Sequence, residues 1–267
     1  MRPAARDLVG HADIHLLTLD TLRHDVAVEE LQSGRTPHLA GLLGAAGWQR
    51  RHSPGSFTYA AHHAFFAGFL PTPVDDPKAE RLFAVEFPGN EDTGTGTWFT
   101  PESTIVAGLA AVGYLTSCVG GVGFFNPATA LGRVLPGLFE HAHWSPETGV
   151  TGRDSFARQL DHLESVVLPV VGERWWFNFV NVSAIHQPNA HHVPGQTVDD
   201  RASHAAALRY VDSLVPRLCA LIDKRARPAL IVLTSDHGTA YGEDGLHGHR
   251  LAHHVTWTVP YAEVWLP

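Results

Sequence analysis

The sequence predicts a doubly wound α/β fold, a mostly parallel sheet with helices on both faces, and three observations carry that prediction. Short apolar runs alternate with segments of helical periodicity along the 267 residues, which is the pattern of repeated βαβ units. Residues 229–233 are β-branched or aliphatic on both parities, which suits a strand covered on both faces. Two such runs end abruptly in residues that carry chemistry, Asp20 after the first and Asp236-His237-Gly238 after the last. In open α/β sheets the carboxyl edge is where ligands bind.

The elements follow in order. Residues 14–19 form the first strand, which stops at Asp20. Thr36-Pro37 opens a helix with an N-cap and a proline at its first position; Leu39, Leu42, Leu43 and Ala46 make its apolar face and Gly47 closes it. Thr100-Pro101-Glu102 repeats the device, with Ile105, Leu109 and Val112 as the stripe, Gly113 as the stop and residues 114–119 as the next strand. Residues 152–167 read as an amphipathic helix and 175–182 as a strand. The helix after Asp199 carries Leu208, Val211, Val215, Leu218 and Ile222 at three- and four-residue steps, and Pro216 should kink it. A last strand is expected within VTWTVPYAEVW. Residues 71–99, 124–151 and 187–198 are rich in Gly, Pro, Asn, Asp and Thr and read as long loops, which in a compact domain are more often site walls than ornament. No repeat or linker divides the chain, so residues 1–267 are expected to form one domain.

Composition narrows the partners. A formal charge of −8, from 19 Lys plus Arg against 27 Asp plus Glu, argues against nucleic acid or an anionic membrane. Cys118 and Cys219 fit neither a disulfide framework nor a zinc spacing. The N-terminus has no apolar core of a signal peptide, and no run approaches the roughly 18 apolar residues of a membrane span, so a cytoplasmic location is expected.

Read by chemistry alone, Asp236 and His237 can grip one divalent cation with mixed oxygen and nitrogen ligands. Asp20 reads as a helix cap or, because it sits at a strand's carboxyl end like Asp236, as a third ligand. Thr58 precedes a helix-compatible stretch, so its hydroxyl is an ordinary N-cap or, beside a metal, a nucleophile activated by the helix N-terminus. His247 and His249 follow in a Gly-rich loop that can fold back over the same point.

Six segments in the right order resemble the sulfatase-like branch of the alkaline phosphatase superfamily. LLTLDTLRHD is similar to its opening strand and metal aspartate, TPHLAGLLGAAGW to its next helix, and FTYAAHHAFFAGFLP to its nucleophile segment. FTPESTIVAGLAAVGYLTSCVG resembles the following helix and strand, FNFVNVSAIHQP the strand ending in His-x-Pro, and SDHGTAYGEDGLHGH the metal-binding signature. The resemblance implies a divalent metal held by Asp20, Asp236 and His237, with Thr58 as nucleophile and fourth contact. It implies that His62, His186, His247 and His249 bind the transferred anion or a second metal; the alternative is solvent-facing loop histidines. Zinc, manganese, magnesium and calcium are not distinguished.

Departures from the family pattern shape the expected activity. The formylglycine cysteine of true sulfatases is Thr58 here, followed by Ala60, Ala61 and His62; Gly120, Gly121, Val122 and Gly123 stand where sulfatases place a Lys and a His; Thr21 replaces a second aspartate. Asn181 and Ser183 occupy the neighbourhood of an aspartate found in two-metal members, so a second ion would have an incomplete ligand set. The chain ends after the last strand, so the C-terminal sulfatase subdomain is expected to be missing. The expected activity is a metal-dependent hydrolase or transferase acting on a small-molecule or conjugated phosphoester or phosphodiester through Thr58. The alternatives are a phosphomutase-like isomerase and a metal-binding partner protein of the same fold without turnover.

Overall fold

The computed structural model describes residues 5–67, 83–84, 98–99 and 104–267. Its first elements are the helical turn α1 (Ala5–Leu8), strand β1 (Asp13–Leu19), helices α2 (His24–Gln32) and α3 (Pro37–Leu43), strand β2 (Gln49–His52) and helix α4 (Thr58–Ala67). Short strands β3 (Phe83–Ala84) and β4 (Trp98–Phe99), helix α5 (Ile105–Ala111) and strands β5 (Tyr114–Val119) and β6 (His141–His143) follow. Helices α6 (Ser155–His162) and α7 (Leu168–Val171), joined by a π-helical stretch, lead to strand β7 (Trp175–Val182) and the long helix α8 (Arg201–Asp223). The chain closes with β8 (Ala229–Thr234), the short β9 (Ala240–Tyr241) and β10 (His247–Gly248), α9 (His254–Trp257) and β11 (Thr258–Leu266).

Seven strands make one sheet in the order β2-β11-β8-β1-β7-β5-β6. Every neighbouring pair in it is parallel except those made by β11, which runs antiparallel to β8 and β2. Alternation along each strand feeds a core on either face. Leu17, Leu19, Trp176, Val180 and Val182 pack with α6 and α8 on one side. Phe177, Phe179, Tyr114 and Cys118 pack with Tyr59 and Phe66 of α4 and Val106 and Leu109 of α5 on the other. A side chain as completely buried as Leu208 or Phe179 contributes roughly 1.5–3 kcal/mol by leaving water.

Several elements differ from the sequence reading, each for a tertiary reason. Thr36 precedes α3 as expected, but its side chain makes no capping bond and its Oγ1 is buried without a partner. The cap comes instead from Asp212 of α8, whose carboxylate accepts from the backbone N–H of Leu39 at 2.7 Å and of His38 at 3.4 Å. A carboxylate there satisfies two orphan donors and opposes the positive end of the helix dipole. Thr100-Pro101-Glu102 lies outside the described residues; α5 is capped by Thr104, whose Oγ1 accepts from Ala107 N at 3.0 Å. Its buried pair is Val106 and Leu109, while Ile105 and Val112 are exposed. The helix expected over 152–167 begins at Ser155 and continues as a π and then an α segment to Val171. Helix α8 runs through Pro216 as one element and starts at a capping box of Asp200 and Ser203.

The stretch 124–151 is not a bare loop. It holds 3₁₀ turns and β6, and Phe125, Leu135 and Phe139 anchor it in the second core. Residues 187–198 contain a 3₁₀ turn, pinned where Asp199 Oδ1 accepts from Asn189 N and Ala190 N, both at 2.7 Å. Most of 71–99 lies outside the described residues. Residues 255–257 of the expected last strand belong to α9, and β2, too polar to show an apolar alternation, was not expected. Among the described residues no helix is long and apolar enough to cross a membrane.

Candidate metal centre and nucleophile

Register brings the candidate residues together. Leu19 of β1 pairs with Val182 of β7, and Thr18 pairs with Thr234 of β8, so the residues just beyond these strands share one sheet edge. Asp20 leaves β1 there and Asp236 leaves β8 two residues past its end. The turn carrying Asp236 and His237 is locked by Gly238, whose N–H donates to Thr256 O at 2.7 Å. A Cβ at 238 would lie 1.9 Å from Val255 O, so no other residue fits without moving α9. Thr21 adopts φ +64°, a conformation uncommon outside glycine, and its N–H donates to Asp236 Oδ1 at 3.2 Å.

Asp20, Asp236 and His237 each offer a ligand atom within 4.8 Å of the others, and all three are buried. His237 Nδ1–H donates to Gly238 O at 2.9 Å. That bond fixes the tautomer and leaves the Nε2 lone pair facing the carboxylates. Nε2 lies 3.4 Å from Asp236 Oδ2 and 3.9 Å from Asp20 Oδ1. Those two oxygens are buried and have no hydrogen-bond partner. Their sister oxygens are satisfied, Asp20 Oδ2 by Asn181 Nδ2–H at 2.9 Å and Asp236 Oδ1 by the N–H groups of Thr21 and of His237. Thr58 is the first residue of α4, and its Oγ1 lies 3.3 Å from His237 Nε2 and 3.5 Å from Asp20 Oδ2.

The donor set fits a divalent cation. Two carboxylate oxygens without a hydrogen-bond partner and an imidazole nitrogen that meets only Thr58 Oγ1 converge, each oriented by its own supporting bond. Without a cation the pair of carboxylates is costly. Burial, and next the charge of Asp236, push Asp20 up to about 6, and burial pushes Asp236 up to about 6. Burial lowers His237. A carboxylate whose pKa is raised on folding adds stability that is complete below its unfolded value and is lost as pH rises through the folded one. The metal-free protein is therefore strained at this site above about pH 6. Thermal unfolding with and without added zinc should show a large gain in unfolding temperature at pH 7.5. The gain should shrink as pH falls through about 6, where protons replace the cation on both carboxylates; a gain independent of pH would count against these two ligands.

The four remaining histidines separate. His249 stands beside the centre, its ring centroid 4.7 Å from that of His237 and 5.5 Å from that of His186, and its Nδ1 is buried without a partner. His186 Nδ1 donates to Gln187 O. His247 is exposed on the β9–β10 hairpin beside Gly242, and no contact brings it to the cluster. His62 corrects the sequence reading: it is completely buried, its Nδ1–H donates to Thr58 O at 2.7 Å and its Nε2 accepts from Thr18 Oγ1 at 2.9 Å. Phe65, Phe66, Phe125 and Phe179 surround its ring. With both nitrogens used, His62 braces the start of α4 from beneath and has no atom left for a substrate.

Two supporting residues escaped the sequence reading. Asn181 appeared there only as a missing aspartate, yet it aims Asp20 and also accepts from Val122 N at 3.1 Å. Its signal was the second of two asparagines, Asn178 and Asn181, in a strand otherwise apolar. Gly121 allows that closure, since a Cβ there would sit 2.5 Å from Asn181 O, so the glycines that replace a Lys and a His bring backbone against β7. Arg23 is buried and pairs with Asp25 and Glu243, fastening the 239–245 turn to the end of β1. Nothing in LLTLDTLRHD distinguishes it from a surface arginine.

Comparison with known proteins places the fold and the family. The sulfatase family profile matches residues 100–262, while no curated protein matches the sequence. The soluble domain of lipooligosaccharide phosphoethanolamine transferase A from Neisseria meningitidis superposes with a TM-score of 0.66 at 16% identity, over 99% of this chain and 78% of that one. The integral membrane form of that enzyme gives 0.62 at 17% identity, over 99% of this chain and 49% of that one, so this chain spans about half its length. The C-terminal periplasmic domain of EcEptC from Escherichia coli, in complex with zinc, gives 0.59 at 11% identity, over 95% of this chain and 72% of that one. A cytoplasmic location, expected from the lack of an apolar N-terminal run, is overturned: the similar structures include periplasmic domains and a domain carried by an integral membrane protein. The expectation failed because a domain's own composition does not reveal the compartment it is delivered to. With the mostly parallel sheet and a family profile covering more than half of its length, the chain belongs to the sulfatase family.

Proposed function

We propose that this protein is a metal-dependent phosphoester or phosphodiester transferase or hydrolase with Thr58 as its nucleophile. The observation that carries this reading is the position of Thr58 Oγ1 at the N-terminus of α4, within 3.5 Å of both Asp20 and His237. A protein that only bound a metal would not need a hydroxyl aimed into the ligand set, and the similarity to phosphoethanolamine transferases supports group transfer over binding alone.

Asp20, Asp236 and His237 would hold the cation, with Thr58 as its further contact. A divalent cation bound there neutralises phosphoryl oxygens and lowers the pKa of the threonine hydroxyl. The chain's own residues do the rest. The first N–H groups of α4 and its dipole favour negative charge at Thr58. His62 and Thr18 hold that end of the helix in place. Thr58 Oγ1 gives its proton up to solvent and attacks phosphorus as the alkoxide; a P–O bond forms, and the bond to the ester oxygen breaks with its electron pair leaving on that oxygen, which takes a proton from solvent. The phosphothreonine is then resolved by an acceptor alcohol or by water. His249 stands beside His237 and next to His186, and these two histidines, His249 and His186, are assigned to offset charge developing on the transferred group.

Thr58 cannot be oxidised to an aldehyde, so sulfate esters are disfavoured despite the family's name. In a panel of phosphomonoesters, phosphodiesters including a phosphoethanolamine conjugate, and sulfate esters, each assayed with zinc, manganese, magnesium and calcium, phosphoester turnover should exceed sulfate-ester turnover by orders of magnitude. The reverse ranking would reject the proposal.

A further inference from the structure

Arg250 follows His249 in a conformation that the backbone does not favour. Its φ is +66°, one of four positive values at non-glycine positions among the described residues. Glycine would adopt that angle without strain, and outliers of this kind cluster at ligand sites. Two contacts hold the residue. Its N–H donates to Ser56 O at 2.8 Å, which ties the His249 loop to the segment that delivers Thr58. Its guanidinium lies over the Phe57 ring, 5.1 Å from the centroid, while the side chain stays exposed. Phe57 directly precedes Thr58, and His249, whose ring centroid lies 4.7 Å from that of His237, directly precedes Arg250, so the guanidinium stands at the rim of the centre. It forms none of the described ion pairs, although most of the other arginines of the chain do. The backbone bond to Ser56 does not depend on the side chain, so the guanidinium is not needed to join the two loops.

We infer that Arg250 is an anion-recognition residue of the site, presented by the Phe57 ring, which takes the substrate's phosphoryl oxygens that the metal ligands leave free. The inference rests on the phosphoester reading above and specifies which residue outside the metal cluster reads the phosphate. A guanidinium suits the task because it offers a planar fork of donors and remains charged, and stacking on an aromatic face keeps it extended at little entropic cost. Arg250 is thus a binding and specificity residue, distinct from Thr58 and from the metal ligands.

The test compares Arg250→Gly and Arg250→Lys with wild type. Arg250→Gly keeps the backbone angle and the N–H to Ser56, so it should unfold at the same or a higher temperature and bind the same amount of zinc. Its dissociation constant for inorganic phosphate, measured by calorimetry on zinc-loaded protein, should rise about tenfold or more. On whichever phosphoester the wild type turns over, KM should rise in step while kcat changes by less than about threefold. Arg250→Lys keeps charge without the fork and should fall between the two. Phosphate affinity and KM within about twofold of wild type in Arg250→Gly would overturn the inference. Phosphate binding that weakens in Arg250→Gly, in a protein that turns over no phosphoester under any metal, would uphold the anion site and reject the enzymatic reading instead.

Discussion

Asp236→Asn is expected to leave the purified protein folded and without bound metal. The amide keeps an oxygen that can accept from the N–H groups of Thr21 and of His237, as Asp236 Oδ1 does now. Its NH₂ takes the place of Oδ2, 3.4 Å from His237 Nε2, and donates to that nitrogen, which occupies the lone pair a cation needs. Loss of a supporting residue around a metal typically costs about 10–100-fold in affinity, and loss of a ligand should cost more. Metal analysis should fall from near one equivalent to a trace, and phosphoester turnover should fall by orders of magnitude. The metal-free variant should unfold at or above the temperature of metal-free wild type at pH 7.5, because the substitution removes a buried carboxylate whose pKa burial has raised to about 6. Asp20→Asn should behave alike, since Asp20 Oδ1 is equally buried and unpartnered. Wild-type metal content in both variants would remove this cluster as the metal site.

Thr58→Ala should abolish covalent turnover and leave much of the metal binding, because Asp20, Asp236 and His237 remain. A drop of several orders of magnitude is expected for losing the nucleophile, above a residue of activity from the groups that persist. Thr58→Ser should be milder. It retains the hydroxyl and loses the methyl group that restricts χ1 and helps to aim the oxygen. Mass spectrometry of wild type trapped with substrate should find phosphate on the peptide containing Thr58, and Thr58→Ala should lack the adduct. Full activity in Thr58→Ala together with no adduct in wild type would leave hydrolysis by direct attack of water, or binding without catalysis.

The legible and illegible parts of the site divide by the range of the interactions involved. Asp20, Asp236, His237 and Thr58 stood out as candidates because each stands at the end of an apolar run or the start of a helix, positions that can be read within about ten residues of sequence, while the choice of ligand or nucleophile over a plain cap for Asp20 and Thr58 came from the family resemblance. Asn181, Arg23 and Arg250 did not, because their roles depend on partners far away in the chain: Asn181 on Asp20, Arg23 on Glu243, and Arg250 on Ser56 and Phe57. His62 was misread because its helical spacing from Thr58 is compatible with a substrate-facing ring. The choice was made by Thr18 on the neighbouring strand and by the phenylalanines that enclose it.

By itself the sequence determined the alternation of strands and helices, the parallel character of the central sheet, and the family, because periodicity and strand-end motifs are local and survive without knowledge of contacts. Tertiary structure alone decided which strands are neighbours, and therefore that the meeting of Asp20 and Asp236 expected from their strand ends is made through the pairing of β1 with β8. It decided that Asp212 caps α3 in place of Thr36, that His249 approaches the centre while His247 on the same loop stays in solvent, and that polar β2 joins the sheet through the antiparallel β11. In each case the physical reason is the same: the free energy of a buried hydrogen bond or charge is set by the partner that desolvates with it, and the chain brings that partner from a distance that no local pattern encodes.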